Sequence, residues 1–203
     1  IKTGFNDAFH LTTAQRDALI AEDPASADLI VPLLRGRFVE RYGTSWQGEH
    51  LINTHNGVKS SEIPPINVRD DYPAIWNHLR RWESRLRRRQ DKGDHWSNLR
   101  NCAYLEDFSK TKIIYPEITK KLGFYLDDSA GFVPNNKGYI VTSSTPCLPA
   151  LTAFLNSSVF KCCFKDNFPT QGEDRRELRT IFFELLRIKK PTPSEVTVFA
   201  ALV

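Results

Sequence analysis

What the sequence lacks narrows its chemistry first. Its 203 residues include no methionine and only four cysteines, and none of its ten glycines stand in Gly-x-Gly spacing. That removes the dinucleotide and phosphate-loop cradles, which need glycine where backbone closes on a pyrophosphate. The longest apolar run, Val198–Val203, is six residues, far below the roughly 20 that span a bilayer. No basic-then-apolar stretch opens the sequence, so no signal peptide is expected. The histidines His10, His50, His55, His78 and His95 form no His-Glu-x-x-His, and no lysine follows an acidic residue by two positions. The second absence removes the acidic-x-Lys half of a restriction-type nuclease site. Cys102, Cys147, Cys162 and Cys163 fit neither a zinc spacing nor a disulfide framework. Adjacent Cys162 and Cys163 fall in an apolar helical stretch and are expected to be buried free thiols in a reducing cytoplasm.

What is present is ordinary for a globular protein: 40% apolar and 26% charged residues, with 28 basic against 24 acidic for a net +4. The length allows one large domain or two small ones. The abrupt start Ile1-Lys2-Thr3-Gly4 reads as the interior of something longer. The expectation is one compact domain over 1–190, followed at 191–203 by the start of a C-terminal helix cut short.

Along the chain, Phe5–Leu11 carries β-formers and is expected to be a strand. Thr12 with Gln15 resembles a capping box opening a helix through Glu22. Asp23-Pro24 is expected to cap a second helix running to Gly36, and His50–Thr54 reads as a short strand. Ser60–Val68 reads as extended loop. Ile75, Leu79, Trp82 and Leu86, spaced four, three and four, mark one face of a helix from Tyr72 to near Gly93. A shorter helix is expected over Trp96–Cys102. Strand signals follow at Lys112–Tyr115, Phe124–Leu126, Gly131–Val133 and Tyr139–Thr142, with turns at Asp127–Ser129 and Asn135–Gly138. Pro149–Phe164 reads as one helix with Leu151, Leu155, Val159 and Cys162 inward. After a loop at Pro169–Asp174, Leu178–Ile188 reads as β-rich, and a helix restarts at Ser194-Glu195. The class is α+β: a mixed, mainly antiparallel sheet with flanking helices.

Paired carboxylates, the residue type for metal or acid–base work, occur at Asp70-Asp71 and Asp127-Asp128. The first pair fits an N-cap for the Tyr72 helix and the second a turn. His50 and His55, without nearby cysteine, read as loop residues, and no metal is expected. Basic density is the stronger signal. Arg80, Arg81, Arg85, Arg87, Arg88, Arg89 and Lys92 face only Glu83 and Asp91, an excess of five that exceeds the net charge of the whole chain. Guanidinium groups pair bidentately with phosphate oxygens, so the run suits a nucleic-acid backbone. A solvated helix face, or a surface for an acidic protein partner, is the competing reading. Further clusters stand at Arg35, Arg37 and Arg41, at Lys110 and Lys112, and at Lys120-Lys121. Asn135-Asn136 forms a polar loop tip, and asparagine can read adenine bidentately. Gln171, Arg175 and Arg176 offer similar chemistry.

Taken in order, several of these blocks resemble one family. Lys2-Thr3-Gly4-Phe5-Asn6-x-Ala8-Phe9 is similar to the segment after the methyltransferase core of bifunctional type IIG restriction–modification enzymes. Ile30-x-Pro32-Leu33-Leu34-Arg35-Gly36-Arg37-x-x-x-Arg41-Tyr42 resembles that family's P-x-L-R-G-R-x-x-x-R-Y. Tyr72–Ile75, Arg89 to Gly93, Trp96-x-x-Leu99-Arg100, Lys110 to Ile118, Leu126-Asp127 and Leu151 to Ser157 follow in the family's order. The chain thus resembles the TaqI-like C-terminal specificity domain of adenine-N6 DNA methyltransferases in type II restriction–modification systems.

The resemblance implies sequence-specific recognition of double-stranded DNA and an N-terminal methyltransferase domain as partner. S-adenosylmethionine and the Asn-Pro-Pro-Tyr/Phe motif belong to that other domain; this chain has neither, and no catalytic residue carries over. Arg35, Arg37, Arg80, Arg81, Arg87, Arg88, Arg89, Lys110, Lys120 and Lys121 are the expected phosphate contacts. Motif positions are mostly scaffold in such a family. The candidates for base reading therefore lie outside the matched blocks: Asn135, Asn136, Lys137, Gln171 and Arg175. The competing classes are a protein-interaction module and a small metal-dependent nuclease.

Overall fold

The computed structural model describes residues 1–172, 174–185 and 187–203. From the N-terminus the chain runs α1 (Asn6–Phe9), β1 (His10–Thr12), α2 (Thr13–Glu22), β2 (Ile30–Leu34), β3 (Val39–Glu40), β4 (Gly43–Thr44), β5 (Glu49–Ile52), α3 (Val68–Asp71), α4 (Pro73–Arg80) and α5 (Glu83–Arg88). It continues with β6 (Lys112–Pro116), β7 (Ile118–Thr119), β8 (Tyr125–Asp127), β9 (Val133–Pro134), β10 (Gly138–Val141), α6 (Leu148–Leu155), α7 (Ser158–Asn167), β11 (Arg176–Glu177), α8 (Thr180–Phe183) and α9 (Pro193–Ala200). The class is α+β, as read from the sequence. The chain divides into two units: Ile1–Leu33, Gln47–Phe108 and Gly131–Val133 form the first, and Leu34–Trp46, Ser109–Ala130 and Pro134–Val203 the second. Residues 191–203, set apart in the sequence, belong to the second unit, where α9 packs on α6.

The first unit is built on a sheet ordered β1-β5-β2-β9, with β5 antiparallel to both β1 and β2. Thr12 and Gln15 close the capping box of α2 in both directions. The helix expected from Pro24 to Gly36 stops as a 3₁₀ turn at Leu29. The β-branched residues Ile30 and Val31 then pair with Ile52 and Leu51 of β5. Phe5–Leu11 is a strand only from His10; before it α1 buries Ala8 and Phe9. The short helix expected over Trp96–Cys102 is irregular backbone. Ile75, Leu79 and Leu86 are fully buried, as their spacing predicts. Their helix nonetheless breaks at Arg81-Trp82, where Trp82 adopts φ −113° and ψ 7° and its ring meets Phe5 edge-on at 5.3 Å. Asp70 and Asp71 close α3 instead of capping α4, whose N-cap is Tyr72.

In the second unit an antiparallel sheet ordered β10-β6-β8 pairs Tyr139 with Tyr115 and Ile113 with Leu126. A ribbon of β11 and β7 and a hairpin of β3 and β4 accompany it. The single helix expected over Pro149–Phe164 is two. Asn156 interrupts it by bonding the backbone of Phe124 in both directions, accepting from its N–H at 3.1 Å and donating to its carbonyl at 2.8 Å. Ser157 then caps α7 through the Phe160 N–H. The restart shifts the helical phase, so Phe160, Phe164 and Phe168 form the inward row beside Tyr115, Phe124, Leu155 and Leu178. Val159, Cys162 and Cys163 are exposed in consequence, which corrects the expectation of buried thiols. Leu178–Ile188 is helical at α8, not β-rich; Leu186 in that stretch and Glu173 in the preceding loop lie outside the described residues.

Lys112 of β6 and Asp127 of β8 are both fully buried and meet at 2.7 Å. The remaining carboxylate oxygen of Asp127 accepts from the Ser129 hydroxyl at 3.1 Å. Asp127 is thus a strand residue committed to an internal ion pair, not a turn residue.

Candidate nucleic-acid interface

Two stretches separated by about a hundred residues meet in the second unit. The Asn135 side-chain oxygen accepts from the N–H of Gly36 at 3.3 Å and of Lys137 at 3.2 Å. The Asn135 N–H donates to the Leu34 carbonyl at 3.1 Å. Gly36 lacks a Cβ where one would lie 2.2 Å from the Lys137 carbonyl oxygen. The Arg35-Gly36-Arg37 turn and the Asn135–Gly138 turn are therefore one structural piece. Arg37 is exposed over the Phe38 ring at 4.7 Å, and Arg35 is half-buried. Asn135 uses its side-chain oxygen to hold the turns together, whereas Asn136 at the tip is exposed.

A second group of polar side chains forms around two carboxylates of the same unit. Glu117 holds the Lys137 ammonium at 2.6 Å, and this contact raises the lysine's pKa. Glu177, nearly buried, accepts from Arg179 at 2.7 Å and from the Gln171 amide at 3.4 Å. Tyr139 stacks on Tyr115 with ring centroids 5.6 Å apart. Burial raises the pKa of its hydroxyl, Glu117 and Glu177 add to the rise, and Arg179 opposes it. Lys137, Tyr139 and Arg179 thus share one electrostatic neighbourhood with Glu117 and Glu177, and Gln171 reaches it through Glu177. Arg179 was missed in the sequence. The available signal was its i,i+2 spacing from Glu177, which places two side chains on one face of an extended segment. Arg175 is exposed, with its carbonyl closing the turn to the Gln171 N–H.

The arginine run belongs to the first unit. Arg80, Arg81, Arg87 and Arg88 are exposed. Arg87 pairs with Glu83 at 2.7 Å and lies 5.6 Å from the Trp96 ring centre, while Arg88 donates to the Ser84 carbonyl. Arg89 departs from the expectation. It is 7% exposed and donates to the carbonyls of Thr3, Trp96 and Asn98, with its charge 4.5 Å above the Phe9 ring. Burial lowers its pKa to about 10, partly opposed by Asp91. A guanidinium spent on three carbonyls inside the unit has no face left for a phosphate.

Lys110, Lys120 and Lys121 are exposed in the second unit. Asp70 accepts from the Asn67 amide at 2.8 Å and Asp127 faces Lys112, so neither carboxylate pair offers two free groups to one site. Among the described residues no three His, Cys, Asp or Glu gather as a metal site, and no helix is long and apolar enough to cross a membrane.

Residues 31–186 match the TaqI-like C-terminal specificity domain, well over half of the chain. The chain belongs to this family. A search among curated proteins finds no match. Among solved structures, the specificity domain is similar to the type IIL restriction–modification enzyme MmeI in complex with DNA. The TM-score is 0.67 at 13% identity over 98% of this chain. At that identity the likeness is one of fold. The specificity domain spans about a quarter of the MmeI chain, 26%.

Proposed function

We propose that this specificity domain recognises a double-stranded DNA sequence for a type II, IIG-like restriction–modification enzyme and performs no chemistry alone. Family membership over residues 31–186 carries the reading. The geometry adds a physical route. Exposed arginines of α4 and α5, with Arg35, Arg37, Lys110, Lys120 and Lys121, neutralise phosphates and fix register, while a few polar side chains read base edges. Asn136, Lys137, Gln171, Arg175 and Arg179 are the readers we assign, with Glu117 and Glu177 holding three of them in place. Asn135 supports them by fixing the turn.

The reaction served is methylation of adenine N6, carried out in the cytoplasm by an N-terminal methyltransferase domain that binds S-adenosylmethionine. Docking of the specificity domain presents the target adenine, and the methyltransferase domain flips it from the stack. The test is selection from random duplex DNA at about 50 and 200 mM salt, a range over which phosphate contacts weaken steeply. Enrichment of one motif, with affinity falling as salt rises, is expected. Absence of binding at both concentrations overturns the reading.

A further inference from the structure

The second unit holds a cavity of about 860 Å³ that the base-reading assignment does not use. Its size is that of a small-molecule site, but such sites are mostly apolar. Here Arg41, Lys120, Lys121, Lys161, Lys165 and Arg176 line it, against one carboxylate, Asp174. None of the six cations is within ion-pairing distance of a carboxylate among the described residues. Six like charges around a single lining carboxylate, none of them ion-paired with a carboxylate among the described residues, repel one another, so the site lowers its energy by taking an anion. Lys161 and Lys165 appear in no sequence-based expectation because they lie in an amphipathic helix, each unremarkable alone; Arg176 is read from the sequence only beside Gln171 and Arg175, as base-reading chemistry and not as a phosphate contact.

The backbone adds to the field. Asn156 and Ser157, at the α6–α7 junction, and Ser158, the first residue of α7, line the same cavity. Ser157 satisfies the Phe160 N–H. The amides ahead of it, at the start of a ten-residue helix, carry the positive end of its dipole. Arg41 is fixed by donating to the Asn156 carbonyl at 3.1 Å, and Arg176 reaches the Lys165 carbonyl at 3.4 Å. Leu122 and Phe164 supply apolar wall. Cations from several segments with apolar surface between them suit a string of phosphodiesters and their sugars better than one compact anion.

The position of the cavity separates it from the base-reading group. Arg176 and Glu177 are consecutive residues of β11, so their side chains leave the β7–β11 ribbon on opposite faces. Arg176 lines the cavity, whereas Glu177 holds Gln171 and Arg179. We infer that this cavity grips backbone phosphates of duplex DNA flanking the recognised base pairs, as a sequence-independent anchor; the inference rests on the proposed DNA recognition.

The test compares K161A/K165A and K120A/K121A with the unaltered chain and with K189A/K190A, which removes the same charge from exposed residues outside the cavity. Binding to duplexes with and without the selected motif is measured across salt concentration. Each cavity variant should weaken both duplexes alike and reduce the salt slope by about two, roughly one unit for each phosphate no longer neutralised, beyond any change in the control. Lysine acetylation read by mass spectrometry gives a direct footprint: duplex DNA should protect Lys161 and Lys165 where inorganic phosphate does not. Unchanged slopes in the cavity variants of a chain that still selects its motif overturn the anchor alone. Protection by inorganic phosphate but not by duplex also overturns it, in favour of a small-anion site. A chain that binds no duplex at all overturns both readings.

Discussion

Gly36 and Lys137 approach so closely that a single added methyl would stand 2.2 Å from the Lys137 carbonyl oxygen. The contact couples the Arg35–Arg37 turn to the Asn135–Lys137 turn, whose tip carries the assigned base reader Asn136. Gly36→Ala forces the turns apart, at a cost of about 1–3 kcal/mol typical of overpacking. Motif preference in DNA selection should fall more than non-specific affinity. Asn135→Ala, which removes the acceptor of two backbone N–H groups, should act in the same direction. A Gly36→Ala chain with unaltered denaturation midpoint and unaltered preference would show that the turns move independently.

Arg87, Arg88 and Arg89 are adjacent in sequence but divide into two kinds. Replacing Arg87 and Arg88 with alanine should leave stability within about 0.5 kcal/mol, as surface changes do. It should lower DNA affinity uniformly across sequences and reduce the salt slope by one to two, roughly a unit per phosphate. Arg89→Ala strands three carbonyls that its guanidinium satisfies and should cost about 3 kcal/mol or more. Urea denaturation alongside a binding titration separates the two. Equal stability loss in both variants would contradict the division.

That division also shows where the sequence was legible. Alternation, helical spacing and caps are local, so α2 with its Thr12–Gln15 box, the buried row Ile75-Leu79-Leu86 and the strands around Ile113 and Tyr139 could be read directly. The breaks at Trp82 and Asn156 could not, because their causes are distant partners: the Phe5 ring in one case and the Phe124 backbone in the other. The second break rephased a helix and exposed Cys162. Charge was legible as density but not as use, since Arg89 carries the same letter as Arg88. Arg179 and Lys161 gained candidate roles only when folding brought the first beside Glu177 and the second into the cavity that Lys120 lines.

Lys112 and Asp127 form a fully buried pair at 2.7 Å, tied further to the Lys110 carbonyl and the Ser129 hydroxyl. Removing one partner leaves a charge without compensation. Lys112→Met or Asp127→Leu alone should destabilise the second unit by about 3–5 kcal/mol. The double variant should recover much of the loss, because two buried charges and their desolvation disappear together. A double-variant loss equal to the sum of the single losses, read from denaturation midpoints, would mean the two residues act independently.

The first unit should weaken as pH falls in two separate windows. Burial lowers the pKa of His50, His55 and His78 below their ordinary value of about 6.5. For His78 the bond to the Ala8 carbonyl opposes the shift, and the geometry assigns the proton to Nε2, which donates at 3.0 Å. An unfolded chain takes up these protons more readily than the folded one. Their contribution is therefore complete above about pH 6.5 and is lost as pH falls from there through the folded values. Asp91 acts lower on the scale: its hydrogen bond to Lys2, then the charge of Lys2 and the contacts of Arg100, depress its pKa against the opposing effect of burial. That contribution is present above about pH 4 and disappears as the carboxylate is protonated below it. Denaturation midpoints followed from pH 8 to pH 3 should show both declines. His78→Gln, whose amide N–H can still reach the Ala8 carbonyl, should flatten the first without touching the second, and Asp91→Asn the reverse. A His78→Gln profile parallel to that of the unaltered chain between pH 7 and 5 would show that His78 does not contribute to the first decline.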